Sequence, residues 1–304
     1  MSQDNRITTA LFARFERALS QPLTIPNVIR RGYTSALRLR ARLQDGNTVF
    51  IKCATTDLTA EWLLKEYTVY TNLEAPFLCR LIAWEDKGEF PFLVLEDLSE
   101  AAWSPPWTSR HIGLVRDMLV RLASFSLAGL LPLEDQFSIT DGWKEVADEP
   151  EAFLGLELIS RGWLECALPT LLAVDGKQVL HGEALTHTDV RSDNLCFLGD
   201  RVVLVDWNWT CQGNPSADLA FWLPSLEAEG GPAPDTILPE GGPFAALLSG
   251  YLAAHAGLPI IPEAPLVRKV QLEQLLSALP WAVQALGLPP LDGPRAGFRQ
   301  PDVN

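Results

Sequence analysis

The sequence predicts an α+β chain, with a small antiparallel sheet near the N-terminus followed by a longer, mainly helical part. Three observations predict it. Short apolar-alternating runs bounded by turn residues crowd residues 28–53 and 78–96. Helical periodicity dominates most of the chain beyond residue 107. Leu185 to Trp209 reads as turn, short strand, turn, short strand, with polar residues at fixed places on an apolar frame. Periods of two and of 3.6 residues mark half-buried strands and amphipathic helices respectively.

In chain order, residues 8–19 predict a helix with Leu11, Phe12, Phe15 and Leu19 on one face, ended by Pro22 and Pro26. Val28 to Arg30 predicts a short strand, and Arg31-Gly32-Tyr33-Thr34-Ser35 a turn. Ala36 to Leu43 alternates apolar residues with arginine, the pattern of a half-exposed strand. Asp45-Gly46-Asn47 is a strong hairpin turn, and Val49 to Cys53 then forms a third strand carrying Lys52. Residues 57–74 predict a helix in which Leu63, Tyr67, Tyr70 and Leu73 share a face. Residues 78–84 and 91–96 predict two more strands, hinged at Glu85-Asp86-Lys87-Gly88.

The proline- and tryptophan-rich stretch 99–109 reads as a linker. Residues 108–130 predict an amphipathic helix, and 150–174 further helical segments. Residues 211–223 predict a loop entering a helix capped by Ser216. The Gly- and Pro-rich residues 230–243 predict a surface loop or flap, and 244–256 and 265–287 two more helices. Residues 288–304 predict a loosely ordered end.

The polar residues of the central stretch carry the chemistry. His187, Asp189 and Asn194 give the pattern HxDxxxxN. Leu195 to Leu198 is an apolar run, Gly199-Asp200 a hairpin turn, and Val202 to Val205 a second apolar run that delivers Asp206. Folded as a hairpin, this brings Asn194 at the mouth of one strand close to Asp206 at the end of the other. An amide oxygen and a carboxylate are hard ligands of the kind Mg²⁺ takes when it sits on nucleotide phosphates. Asp189 lies on the preceding loop, where an incoming hydroxyl would meet it.

This pattern resembles the catalytic and metal loops of the protein-kinase-like fold. Asp206-Trp207, in place of Asp-Phe-Gly, looks like the aminoglycoside phosphotransferase and choline kinase branch. The resemblance implies a two-lobed protein-kinase-like fold: a nucleotide-binding lobe over residues 1–97, built on a small antiparallel sheet, and a larger, mainly helical catalytic and acceptor-binding lobe over 98–304. It implies ATP and Mg²⁺ as cofactors and a small-molecule hydroxyl acceptor.

It also implies roles for individual residues. Lys52 holds the ATP phosphates, steered by a glutamate of the following helix. Glu61 and Glu66 compete for that place, and Glu66, just before an apolar run ending at Leu73, matches better. Gly32, Thr34 and Ser35 offer backbone amides to phosphate oxygens. With one glycine, that turn departs from the glycine-rich loop of protein kinases. Glu96, Asp97 and Leu98 lie beside the adenine base. Asn194 and Asp206 hold Mg²⁺, and Asp189 accepts or orients the acceptor proton. Arg191 either supplies positive charge to the transition state or is a surface or carboxylate-paired arginine.

Several neighbours are assigned no chemistry. His187 packs and orients the loop, and Asp218 matches an aspartate that buttresses it from behind. His181-Gly182-Glu183 imitates the motif, but seven residues on from His181 stands Thr188, whereas from His187 the count reaches Asn194. Trp207 and Trp209 read as packing residues rather than a substrate cage. Asn208 stands where many relatives have a carboxylate, which puts a second metal in question.

Composition narrows the alternatives. The chain has 304 residues, 47% of them hydrophobic, enough for a substantial core. It has no uninterrupted apolar run of about 18 residues, so no membrane span is expected. The first twenty residues lack a signal-peptide layout, and the expected location is cytoplasmic. The five cysteines are odd in number and contain no C-x-x-C, which indicates neither a disulfide framework nor a zinc site. A net charge of −14 argues against a nucleic-acid partner and favours a cationic small substrate.

The leading expectation is therefore an ATP-dependent small-molecule kinase with an aminoglycoside-like acceptor. Choline, a sugar or an amino alcohol are other acceptors in the same class. A nucleotide-binding pseudokinase is disfavoured because Lys52, Asp189, Asn194 and Asp206 are all present. A protein kinase is disfavoured by Asp206-Trp207-Asn208 and by the lack of an Ala-Pro-Glu segment. The sequence does not give the oligomeric state.

Overall fold

A computed structural model of the chain describes residues 7–24, 26–29, 34–262 and 264–295. Gly32, the far end of the expected first strand at Arg30, and the chain beyond residue 295 lie outside the described residues. The elements run in the order α1 Thr9–Leu19, β1 Asn27–Val28, β2 Leu37–Arg42, β3 Thr48–Cys53, α2 Asp57–Asn72, β4 Leu81–Glu85, β5 Phe92–Glu96 and β6 Ala102–Trp103. They continue with α3 Ser109–Leu122, α4 Gly142–Asp148, α5 Glu151–Leu154, α6 Arg161–Leu172, α7 Gly176–Leu180, β7 Ala184–Thr186, β8 Leu195–Leu198 and β9 Arg201–Leu204. The last are β10 Cys211–Gly213, α8 Ala217–Ala228, α9 Pro234–Ile237, α10 Gly242–Ala256 and α11 Val267–Leu286. No described helix is long and apolar enough to cross a membrane.

The chain forms two compact units, Met1–Ser104 with Asp193–Trp209, and Pro105–Ser192 with Thr210–Asn304. The first unit holds an antiparallel sheet in the order β1-β2-β3-β5-β4. Alternation along β2 and β3 splits the sheet into two faces. Leu37, Leu39 and Ala41 stand opposite Cys53, Ile51 and Val49, and this face packs with Phe15 of α1, Phe92 and Val94. The other face carries Arg38, Arg40 and Arg42 opposite Lys52, Phe50 and Thr48. Gly46 adopts φ +88° in the tight β2–β3 turn, a conformation that glycine reaches without cost.

The β8–β9 hairpin belongs to the same unit. Its register pairs Leu195 with Leu204 and Leu198 with Arg201 around Gly199, which has φ +62°. β6 joins its other edge, so the expected linker contributes a two-residue strand. Arg201 fastens the hairpin beside the large sheet, donating to the carbonyls of Pro76 at 2.7 Å and Leu78 at 2.6 Å.

The second unit is mainly helical. α4, α5, α6, α10 and α11 share a core that includes Trp143, Phe153, Trp163, Leu252, Leu275 and Leu279. β7 and β10 form a two-stranded antiparallel ribbon that pairs Thr186 with Cys211.

Three expectations are corrected here. The helix expected over 108–130 ends at Leu122. Beyond it Ser124 Oγ donates back to the Arg121 carbonyl at 2.6 Å, and the carbonyls of Phe125 and Leu131 accept from Leu185 and Gln212, which start and continue the ribbon. The further helical segments expected over 150–174 are α5 and α6, separated where Glu157 takes φ +60° and Ser160 caps α6. The expected loop 230–243 contains α9 and the start of α10, with Pro234, Leu238 and Gly241 buried. Ser216 does not cap α8 with its side chain: its backbone is already helical, φ −91° and ψ −5°, rather than the extended conformation of a capping residue, and its N–H donates to Asn214 Oδ1 at 2.9 Å.

Candidate active site

In the first unit the strand lysine is the centre of an ion cluster. Lys52 is 7% exposed and Glu66 1%. Lys52 Nζ donates to Glu66 Oε1, and to Asp206 Oδ1 at 2.6 Å. Burying a charge is costly unless it is paired, and here one cation faces two carboxylates. Burial works to lower the Lys52 pKa, but Asp206 and then Glu66 outweigh it, so the amine stays above its ordinary 10.5 and remains charged. Burial pushes the Glu66 carboxyl up to about 7, against the pull of Lys52. Of the two glutamates considered, Glu66 makes this pair, while Glu61 pairs with Lys65 at 3.3 Å on the exposed side of α2.

The hairpin sets Asn194 and Asp206 side by side. The Asn194 carbonyl accepts from the Val205 N–H at 2.9 Å, which extends the β8–β9 ladder by one step. Asp206 then turns out of the strand with φ +69°, a region where aspartate is among the few tolerated residues. Strained backbone of this kind concentrates at functional positions. Trp207 is fully buried against Phe77, with ring centroids 5.9 Å apart, and Trp209 lies 5.6 Å from the Trp62 ring. Both tryptophans pack, as expected.

Asn208 is 5% exposed. In the amide orientation that satisfies its neighbours, it donates to the Asp206 carbonyl and to Asp206 Oδ1, both at 3.0 Å, and accepts from Trp209 Nε1 at 3.2 Å. It thus braces the turn that presents the Asp206 carboxylate. The same hairpin step places residue 194 across the ladder from Val205, next to Asp206. No cluster of three or more His, Cys, Asp or Glu suited to a metal occurs among the described residues.

The expected nucleotide contacts are also in this unit. The Thr34 carbonyl and hydroxyl accept from Arg38 at 3.2 and 2.7 Å, and the Ser35 carbonyl accepts from Thr55 Oγ1 at 2.9 Å. The Glu96 side chain is turned to structural work, accepting from the Arg80 N–H at 2.9 Å and from Arg201 at 3.3 Å. The Leu98 carbonyl accepts from the Ala101 N–H at 3.1 Å and from Trp103 Nε1 at 3.2 Å. Asp97 pairs with Arg40 at 2.6 Å.

In the second unit the loop after β7 carries His187, Asp189 and Arg191. His187 is fully buried, and its Nδ1 accepts from the Asp189 main-chain N–H at 3.3 Å. Thr188 has φ +66°, which a β-branched side chain strongly resists. Asp218, in the first turn of α8, holds that conformation. Its carboxylate accepts the His187 N–H at 2.8 Å and the Thr188 N–H at 2.6 Å. Burial raises the Asp218 pKa, opposed by His187 and by those two N–H groups. Arg191 Nε stands 3.7 Å from Asp189 Oδ1. His181 is exposed and paired with Glu134 at 2.8 Å, so it takes no part in this loop.

Sequence reasoning missed Glu229. It caps the C-terminal end of α8, accepting from Ser192 Oγ at 2.5 Å and from Trp107 Nε1 at 2.7 Å. No local signal announces it, because Ser192 and Glu229 are 37 residues apart.

Comparisons with known proteins agree with this architecture. A family model described as the phosphotransferase enzyme family matches residues 29–258. No curated protein sequence matches the chain. Among solved structures, spectinomycin phosphotransferase in complex with ADP and spectinomycin superposes with a TM-score of 0.55 at 12% identity, over 93% of this chain and 88% of that one. Macrolide 2'-phosphotransferase type I gives 0.50 at 16% identity, over 92% and 94%. The macrolide 2'-phosphotransferase of Brachybacterium faecium, an apoenzyme, gives 0.51 at 18% identity, over 92% and 93%. At such identities the likeness establishes the protein-kinase-like phosphotransferase fold.

Proposed function

We infer the reaction from this starting point: the chain belongs to the phosphotransferase enzyme family and is a small-molecule phosphotransferase. On our reading it moves the γ-phosphate of ATP to a hydroxyl of a small molecule, with Mg²⁺ as the cation. The observation that carries this reading is the buried Lys52 joined to both Glu66 and Asp206. Phosphoryl transfer asks for placement and charge compensation rather than covalent help.

Lys52 binds the inner phosphates, and Glu66 fixes the direction of its amine. Asn194 and Asp206 hold Mg²⁺, which when bound offsets phosphate charge. Thr34 and Ser35 face the phosphates, and the backbone at Glu96 and Leu98 meets the adenine edge. Asp189 accepts or orients the proton of the acceptor hydroxyl, and Arg191 adds positive charge as the transferring group flattens.

For the acceptor we favour an aminoglycoside-like molecule. The net charge of −14 favours a cationic acceptor. The superposition with an enzyme named for spectinomycin supports an antibiotic of that general kind. Choline, a sugar and an amino alcohol are the alternatives within the same chemistry. Mg²⁺-dependent ADP release, screened against aminoglycosides beside these other hydroxyl compounds with Asp189→Asn as control, tests the proposal. Acceptor-stimulated release that collapses in the control is the expected result. ATP binding with no stimulation by any acceptor would turn the reading to a pseudokinase.

A further inference from the structure

Arg38 adds a second cation beside the cluster of Lys52, Glu66 and Asp206. In the β2–β3 ladder it stands directly opposite Lys52, so two cationic side chains leave the same face of the sheet. Directly opposed residues have Cβ atoms about 5 Å apart, and like charges there are destabilising. Three arginines of this unit meet carboxylates, Arg14 with Glu85 at 2.5 Å, Arg40 with Asp97 at 2.6 Å and Arg201 with Glu96 at 3.3 Å, while Arg42 donates to the Gly46 carbonyl at 3.2 Å. Arg38 meets no carboxylate either. It is half-buried, and its partners are neutral oxygens: the carbonyl of Thr34 at 3.2 Å, the carbonyl of Ala36 at 3.1 Å and the hydroxyl of Thr34 at 2.7 Å. No carboxylate of the described residues lies within ion-pairing distance of it.

A guanidinium carries five N–H donors in a rigid fork that matches phosphate. The loop takes three of them here, through Nη1 twice and Nη2 once. Arg38 feels Glu66 only through the field between them and hydrogen-bonds no carboxylate, so the N–H donors that the loop leaves over stand on the Lys52 face of the sheet, where phosphate oxygens can take them. We propose that Arg38 is a second phosphate-binding residue, which takes the polyphosphate of a nucleotide together with Lys52 and fixes residues 34–36 beside it. The proposal rests on the phosphotransferase reading, in which Lys52 faces the nucleotide. The sequence hid the residue, because Arg38, Arg40 and Arg42 alternate along β2 as the exposed side of any half-buried strand does.

The test is calorimetric titration of the full chain with adenosine, AMP, ADP and ATP, in the presence of Mg²⁺. Arg38→Met is expected to weaken ADP and ATP tenfold or more and to leave adenosine within twofold, with Arg38→Lys intermediate. Thr55→Val releases the Ser35 carbonyl without changing charge, and is expected to weaken ADP less than threefold. Arg38→Met binding ADP and ATP as the unaltered chain does would overturn the proposal. So would an equal loss for adenosine, or a Thr55→Val loss matching that of Arg38→Met, either of which would assign the effect to loop order. If the unaltered chain bound neither ADP nor ATP, the phosphotransferase reading itself would fall.

Discussion

The hydroxyl of Ser192 donates to Glu229 Oε1 at 2.5 Å. Glu229 ends the helix whose first turn carries Asp218, and Asp218 accepts the N–H groups of His187 and Thr188. A single helix, α8, therefore grips the loop 187–192 at both ends, and Asp189 and Arg191 lie on the span between the grips. Misplacing a reacting group by about 1 Å can cost about a hundredfold in rate, so a loop held at two points has a physical rationale.

Glu229→Ala is expected to lower kcat roughly tenfold while leaving the KM for ATP within about twofold, since the change acts on loop placement. Amide exchange at residues 189–192 should quicken. A rate equal to that of the unaltered enzyme, with exchange unchanged, would remove Glu229 from this role.

Asp218→Asn puts an amide donor against one of two backbone donors. An unsatisfied buried N–H costs about 1–3 kcal/mol, and Thr188 would lose part of what holds its left-handed backbone. Denaturant unfolding should show a loss of about that size, with a larger proportional loss of activity.

Asn208→Asp would set a second carboxylate against Asp206 Oδ1, where the amide now donates at 3.0 Å. Repulsion of about 1–2 kcal/mol should lower the melting temperature by roughly 3–6 °C without divalent cation. Millimolar Mg²⁺ with ATP should restore most of it. A melting curve unchanged in both conditions would contradict the bracing role of Asn208.

The His181–Glu134 pair gives a pH prediction. Glu134 raises the His181 pKa above its ordinary 6.5, and the Glu134 pKa is lowered from 4.5 by that hydrogen bond although burial opposes it. The raised His181 contributes stability below pH 6.5 that is lost as pH rises through its folded value. The lowered Glu134 contributes stability above pH 4.5 that is lost as pH falls through its own. The pair therefore helps most between those limits. Glu134→Gln should move the His181 NMR titration down toward 6.5 and leave the activity profile unchanged, because His181 lies outside the loop 187–192.

Legibility in the sequence tracked locality. The Asp45-Gly46 and Gly199-Asp200 turns could be read because a hairpin is specified by neighbours in the chain, and the second of them predicted Asn194 beside Asp206. Helices α1, α2, α10 and α11 followed from their periodicity or composition. The β7–β10 ribbon did not, because two three-residue strands paired from Thr186 to Cys211 leave no period to detect. The expected run of α3 to residue 130 fails because beyond Leu122 the carbonyls of Phe125 and Leu131 answer to distant N–H groups, which no local pattern announces. Glu66 was chosen over Glu61 by pattern, and the ion pair with Lys52 agrees. Glu229, Arg38 and the brace from Asn208 depend on where side chains meet in the folded chain.

The central claim is transfer of a phosphoryl group to a small hydroxyl acceptor, and the product itself tests it most directly. After incubation with MgATP and an acceptor that stimulates ADP release, ³¹P NMR should show a new phosphomonoester resonance on the acceptor. Its growth should match ADP, and it should vanish with Asp189→Asn and with Lys52→Met. ADP accompanied only by inorganic phosphate, or a phosphomonoester formed equally by both variants, would contradict the account.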